Sequence, residues 1–273
     1  MFKRLRRAWQ GHVLFSAKIP YPIWHRVVRA APVLRALDNR EAHRLRKLTS
    51  LFLREKTINS ARGFILEEWM RVLIAAQACL LILNIDDGLK YFDGWHEVIV
   101  YPDAFKVNRL QRDSSGVVHT KDQRLAGEAW SRGPVVLSWN NIITVSHAHA
   151  LGSNVVLHEF AHKLDMLNGP ADGLPPLHRT MRVADWASAF ADAYGHLSEQ
   201  LARHHRTQVD PYGATNPAEF FAVVSEQFFE APGSLRDAYP AVYEQLRVYY
   251  KQDPGARFGH SELTGAAIKH PIH

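Results

Sequence analysis

The sequence predicts an α+β fold, with helices before and after a modest mixed sheet, and three observations carry that expectation. Apolar residues recur at helical spacing over 38–60 and 62–83. After Asp86, Asp87 and Gly88 the texture changes to short β-branched runs broken by turn residues. From Gly152 onward the helical rhythm returns, punctuated by Gly169-Pro170, Pro175-Pro176 and Pro232-Gly233.

Taken in order, 38–60 reads as an amphipathic helix and 62–83 as a buried one. Its most apolar part, Val72 to Leu83, is interrupted by Gln77 and falls short of the roughly 20 residues that span a bilayer, so it belongs in a core. Asp86-Asp87-Gly88 makes a turn. Val98 to Tyr101, Gly116 to His119 and Val135 to Trp139 are the expected strands, followed by helices over 153–167, 178–202, 217–230 and 238–251. The stretch from Asp253 is polar and rich in Gly and His, and is expected to wrap the surface or stay loose.

With 273 residues, 47% hydrophobic and 22% charged, the chain can bury a sizeable core, which excludes long disorder and fibrous architectures. The single cysteine, Cys79, excludes an internal disulfide framework and any multi-cysteine metal or iron–sulfur site. A bound metal must then be held by His and carboxylates. Charge is uneven: residues 1–56 hold 14 Lys and Arg against three acids (Asp38, Glu41, Glu55), and the remainder holds 19 against 24. The arginines alternate with Val27, Val28, Ala31, Val33, Leu34 and Leu37 in a helical rhythm, which describes a solvated helix face rather than a nucleic-acid interface. Contact of the first 20 residues with a membrane surface is the other reading. Met1 to Arg7 is basic enough to open a signal peptide, but Gln10, His12 and Lys18 deny it an apolar run, so a cytoplasmic location is expected.

The chemistry concentrates in His158-Glu159-Phe160-Ala161-His162, within the apolar helical stretch 154–168. Histidines four apart project within about 40° of each other one turn apart, so two imidazoles can ligate one zinc ion. Glu159 falls about 100° from His158, beside the metal without binding it, where it can take a proton from a water that zinc has acidified toward a pKa of about 7.

A catalytic zinc keeps three protein ligands and one open position. Asp165 could be the third ligand, or an acceptor for an imidazole N–H. Glu219 is the stronger candidate: Asn216 before Pro217 reads as an N-cap with proline at the first helical position, which puts Glu219 in the first turn of a second helix. Its other reading is an N-terminal acid serving the helix dipole. Glu226 shares Glu219's face, with solvent exposure and an outer-shell role as its two readings.

The blocks HEFAHKLDMLNG and DPYGATNPAEFFAVVSEQFF, with segments at 87–105 and 133–142, resemble the Mlc titration factor A family of bacterial zinc metallopeptidases, from about residue 45 to the tail. The resemblance implies a zincin-like domain over 45–252; the first 40 residues fall outside it, and a basic helical extension at 1–44 and a polar tail at 253–273 are read from composition alone. It implies a site similar to that of the anthrax lethal factor catalytic domain, with one zinc ion on His158, His162 and Glu219, Glu159 as general base and Tyr212 supporting the oxyanion. It also implies aminopeptidase-like action on small peptide substrates, and binding to Mlc, a glucose-responsive transcriptional repressor.

Other histidines have plainer readings. His147 and His149 fit a loop entering the motif helix, while His204, His205, His260, His270 and His273 stand in polar or terminal contexts. A tail histidine folding back onto the open metal position is the one exception worth a test. For substrate, Gly133 to Trp139, with Pro134 at its start, is the candidate edge strand for pairing with a peptide backbone, a buried strand being its rival. The competing functional class is a repressor-binding protein whose metal site is structural or vestigial.

Overall fold

The structure, a computed structural model, describes residues 19–103, 105–112, 118–125, 127–129, 133–148 and 154–258. Two helices, α1 (Tyr21–Ala30) and α2 (Pro32–Arg35), lead into α3 (Asn39–Glu55). Asp38 opens α3 with a capping box: its carboxylate accepts the Glu41 N–H at 2.7 Å while Glu41 reaches back to the Asp38 N–H. Trp24 and Val27 of α1 are buried in the same core as the rest of the molecule, and α3 runs unbroken through residues 44 and 45.

Residues 57–60, expected to finish a helix, form strand β1 (Thr57–Ser60) instead. Its apolar member Ile58 is buried, and the strand pairs in parallel with β2 (Glu97–Tyr101), Thr57 opposite Glu97 and Ser60 opposite Val100. A helical rhythm read over 38–60 missed this because the partner that selects the strand lies some 40 residues on. The crossover that parallel pairing requires is α4 (Glu68–Leu81), starting later than the expected residue 62 and buried almost throughout.

After β2 come a hairpin of β3 (Phe105–Arg112) and β4 (Val118–Leu125), then β5 (Gly127–Ala129) and β6 (Val135–Ser138). Of the expected strand at 116–119, residues 118 and 119 lie in β4 and 116–117 lie outside the described residues. The sheet order is β1-β2-β6-β5, parallel across β1, β2 and β6, with β5 antiparallel on its end. The fold is α+β with a small sheet of three parallel strands and one antiparallel strand.

This order corrects the substrate-edge expectation. β6, within Gly133–Trp139, is flanked by β2 and β5, with Val135 and Leu137 fully buried, so its backbone is not an edge. Among the described residues the end positions belong to β1 and β5. Directly after β6, Trp139–Ala148 forms α5. His147 therefore lies in a helix rather than a loop, and His149 lies outside the described residues, as do His260, His270 and His273.

The motif helix α6 (Val155–Asp165) packs against β5, β6 and α4. Downstream come α7 (Val183–Ala202), α8 (Pro217–Glu230), α9 (Pro232–Ala238), α10 (Pro240–Tyr250) and α11 (Pro254–Phe258). Pro232-Gly233, read as a break, starts α9: proline at the first helical position gives up an N–H that would be unbonded there anyway. Phe160 anchors α6 in a cluster with Phe52, Phe92 and Trp95 at ring-centroid distances of 5.8, 5.2 and 5.7 Å. Phe160→Ala is expected to cost about 3–5 kcal/mol of folding stability, read from urea denaturation; a loss below 1 kcal/mol contradicts this packing.

Candidate metal centre

Helix α6 begins at Asn154, whose side chain does two jobs. Its Oδ1 accepts the Val156 and Leu157 N–H groups, each at 3.1 Å, and its Nδ2 donates to Gln77 Oε1 at 2.6 Å and Glu230 Oε1 at 2.9 Å. The start of α6 is thus tied to α4 and to the last turn of α8. Asn before an apolar helical run was a readable cap signal, though its reach to Gln77 and Glu230 was not.

Helix α8 begins as the sequence predicts, with Asn216 Oδ1 accepting the Glu219 N–H at 3.0 Å and Pro217 in the first turn. The two helices run antiparallel, which brings Glu219 onto the histidines. His158 Nε2 and His162 Nε2 lie 3.2 Å apart, and Glu219 Oε2 lies 3.0 Å from the first and 3.3 Å from the second. Among the described residues these three form the cluster able to hold a metal ion. The spacing fits a cation: donor atoms about 2.0–2.1 Å from a tetrahedral ion stand about 3.3 Å apart.

Glu226, two turns along α8 and buried, lies with Oε1 2.6 Å from His158 Nδ1. A carboxylate so placed would fix the tautomer and orientation of an imidazole that held a metal, and Glu226 faces inward rather than toward solvent. Burial alone would lower the His158 pKa, but the Glu226 carboxylate and the bonds to Glu219 and Glu226 outweigh it and hold the ring well above the usual imidazole value. Burial pushes Glu226 itself up to about 7, so this pair keeps a proton near neutral pH. His162 is lowered by burial. For Glu219, burial acts to raise the carboxyl, yet the hydrogen bonds from His158 and His162 hold it far below the carboxylate range.

Glu159 is buried on α6, close enough for its charge to act on His158 and on Lys163 one turn away. Lys163 Nζ donates to Gly133 O at 2.9 Å, and burial lowers its pKa to about 8. Tyr212, on a 3₁₀ turn (Pro211–Ala214), is 46% exposed with its ring centroid 6.0 Å from that of His158. Asp165 is not in the ligand cluster: it is fully buried, and its Oδ2 accepts the Gly173 N–H at 2.9 Å. Burial raises its carboxyl to about 7.

The sequence pattern of the glucose-regulated metallo-peptidase M90 family matches residues 3–251. The chain belongs to this family. The M90 match starts at residue 3, so it takes in the basic N-terminal stretch that the motif blocks left aside. The resemblance to Mlc titration factor A is borne out. The chain is 35% identical to the Mlc titration factor A of Klebsiella pneumoniae over 260 residues, 94% of this chain and 95% of that one. It is 37% identical to that of Salmonella agona over 241 residues, 86% and 88% of the two chains. An uncharacterized protein of Synechocystis is 38% identical over 248 residues, 90% and 89%. Membership of M90 makes the protein a member of a metallopeptidase family, with His158, His162 and Glu219 as its candidate metal-holding group.

Proposed function

We propose that the protein is a zincin-like, zinc-dependent peptidase of the cytoplasm, aminopeptidase-like in its preference. The convergence of His158, His162 and Glu219 from two helices on one point, with 3.0–3.3 Å edges, supports this reading most directly. His158, His162 and Glu219 would hold one zinc ion, which would acidify water and polarise the scissile carbonyl. Glu159 takes the proton of the attacking water and passes it to the leaving amine. Tyr212 donates its O–H to the oxygen on which charge develops. Glu226 holds the His158 ring in orientation through Nδ1. Among the described residues no helix is long and apolar enough to cross a membrane.

The name carried by the Klebsiella and Salmonella relatives supports a second reading, binding of the Mlc repressor. In its strongest form the metal site is structural and sequestration is the whole task. Metal analysis paired with chromogenic aminoacyl and longer peptide substrates, with and without chelator, separates the two. Chelator-sensitive cleavage is the expected result, and a metal-loaded chain that cleaves nothing favours the binding protein.

Metal uptake is expected to depend on pH. A ligating nitrogen must be unprotonated, and His158 holds its proton above the usual imidazole range, so zinc must displace it at neutral pH. Affinity should therefore rise as pH climbs from 6 to 8, by about tenfold per unit for each proton released. Competition against a chelator of known affinity measures it, and a flat profile contradicts the assignment of His158.

A further inference from the structure

We propose that Asp165 is a positioning residue that spaces the two ligand-bearing helices, one oxygen fixing Gly173 against the first turn of α8 and the other taking the Nδ1–H of His162. The proposal rests on the metal reading above and concerns what keeps the ligands in register.

The first half is visible in the packing. Asp165, the last residue of α6, is fully buried and holds the Gly173 N–H at 2.9 Å. Gly173 adopts φ +84°, a conformation L side chains rarely take, and a Cβ placed on it would stand 2.6 Å from Pro217 O and 3.0 Å from Pro217 C. Glycine is thus required twice over, for its backbone angle and for its closeness to the residue that opens α8. The Gly173 carbonyl is held in turn by Trp186 Nε1 at 3.0 Å, and Trp186 is buried against Phe190 in a stack with centroids 4.2 Å apart. Gly173 is therefore clamped on both sides of its peptide and pressed onto the turn that aims Glu219.

The second half follows from two unmet groups. His162 Nδ1 and Asp165 Oδ1 are both buried with no hydrogen-bond partner among the described residues. When His162 offers Nε2 to a cation, Nδ1 must carry the ring proton and becomes a donor. Asp165 Oδ1 is an acceptor three residues on, about 60° around the same helix and one turn away. Joining them, directly or through one water, satisfies both groups where leaving both unmet is costly. At the far end of α6, Asn154 already binds Glu230 at the end of α8. Asp165 supplies the matching tie at the other end, so the antiparallel pair is pinned at both ends with the histidines and Glu219 between.

Two variants leave every proposed ligand in place. In Asp165→Asn the Gly173 N–H takes the remaining carbonyl, which turns the amide NH2 toward the His162 N–H, donor against donor. In Gly173→Ala the carboxylate stays, but the added methyl forces Pro217 away. Zinc is titrated into the purified full-length chain against a chromophoric chelator, and the melting temperature of the metal-free protein is recorded alongside. Each variant is expected to bind zinc about 10- to 100-fold more weakly than the wild type. A lower melting temperature with unchanged zinc affinity in both variants would reduce Asp165 to a purely structural residue and overturn the proposal, as would two variants indistinguishable from wild type. A wild-type chain that takes up no zinc overturns the metal reading, and the role of Asp165 with it.

Discussion

Glu159→Gln is expected to retain the metal and to lose chelator-sensitive peptide hydrolysis by about 10²- to 10⁴-fold, the range for removing a positioned general base. The substitution keeps the volume and one acceptor of a buried side chain on α6, so His158, His162 and Glu219 should remain as they are. What disappears is a group able to take a proton from water and return it to the leaving amine. Two to four decades correspond to about 3–5 kcal/mol of barrier. Metal content by elemental analysis and kcat/KM on the same preparation measure the two halves. If hydrolysis persists at wild-type rates with full metal content, Glu159 is not the base. Capture of an Mlc-type repressor, if this protein performs it independently of catalysis, should survive the change, so one variant separates the peptidase from the sequestering protein.

The parts of the centre readable in the sequence were those set by local rules. His158 and His162 share a face because they stand four apart on an unbroken helix, and Asn216-Pro217 fixed where Glu219 would sit because capping acts within three residues. Glu226 could be placed on Glu219's face by its seven-residue spacing, yet only the structure brings it to His158 Nδ1. The tie from Asn154 to Gln77 spans 77 positions, and nothing local announces it. Nothing in the residues around Gly173 announces that Pro217 packs against it. The sheet was less legible than the helices. β1 and β5 are short, and β5 reads Gly-Glu-Ala, without the β-branched residues that mark a strand. What makes each a strand is its neighbour, β2 for β1 and β6 for β5.

Glu219→Ala should have the largest effect on the metal. Of the three groups it alone comes from α8, and its Oε2 stands within 3.3 Å of both imidazoles, so removing it leaves the two Nε2 atoms, 3.2 Å apart, without the carboxylate they share. An outer-shell partner such as Glu226 acts only through His158, and substitutions of that kind cost about 10- to 100-fold in metal affinity. Loss of a direct ligand should exceed that range, and hydrolysis should fall with occupancy. The order matters more than either value: zinc affinity should run wild type, then Glu226→Gln, then Glu219→Ala, under one chelator at one pH. If Glu226→Gln proves the more damaging, the third ligand has been misassigned between two carboxylates of one helix. Equal affinities for Glu219→Ala and wild type would mean that the HExxH histidines bind without α8, and the antiparallel pairing of the two helices would need another purpose.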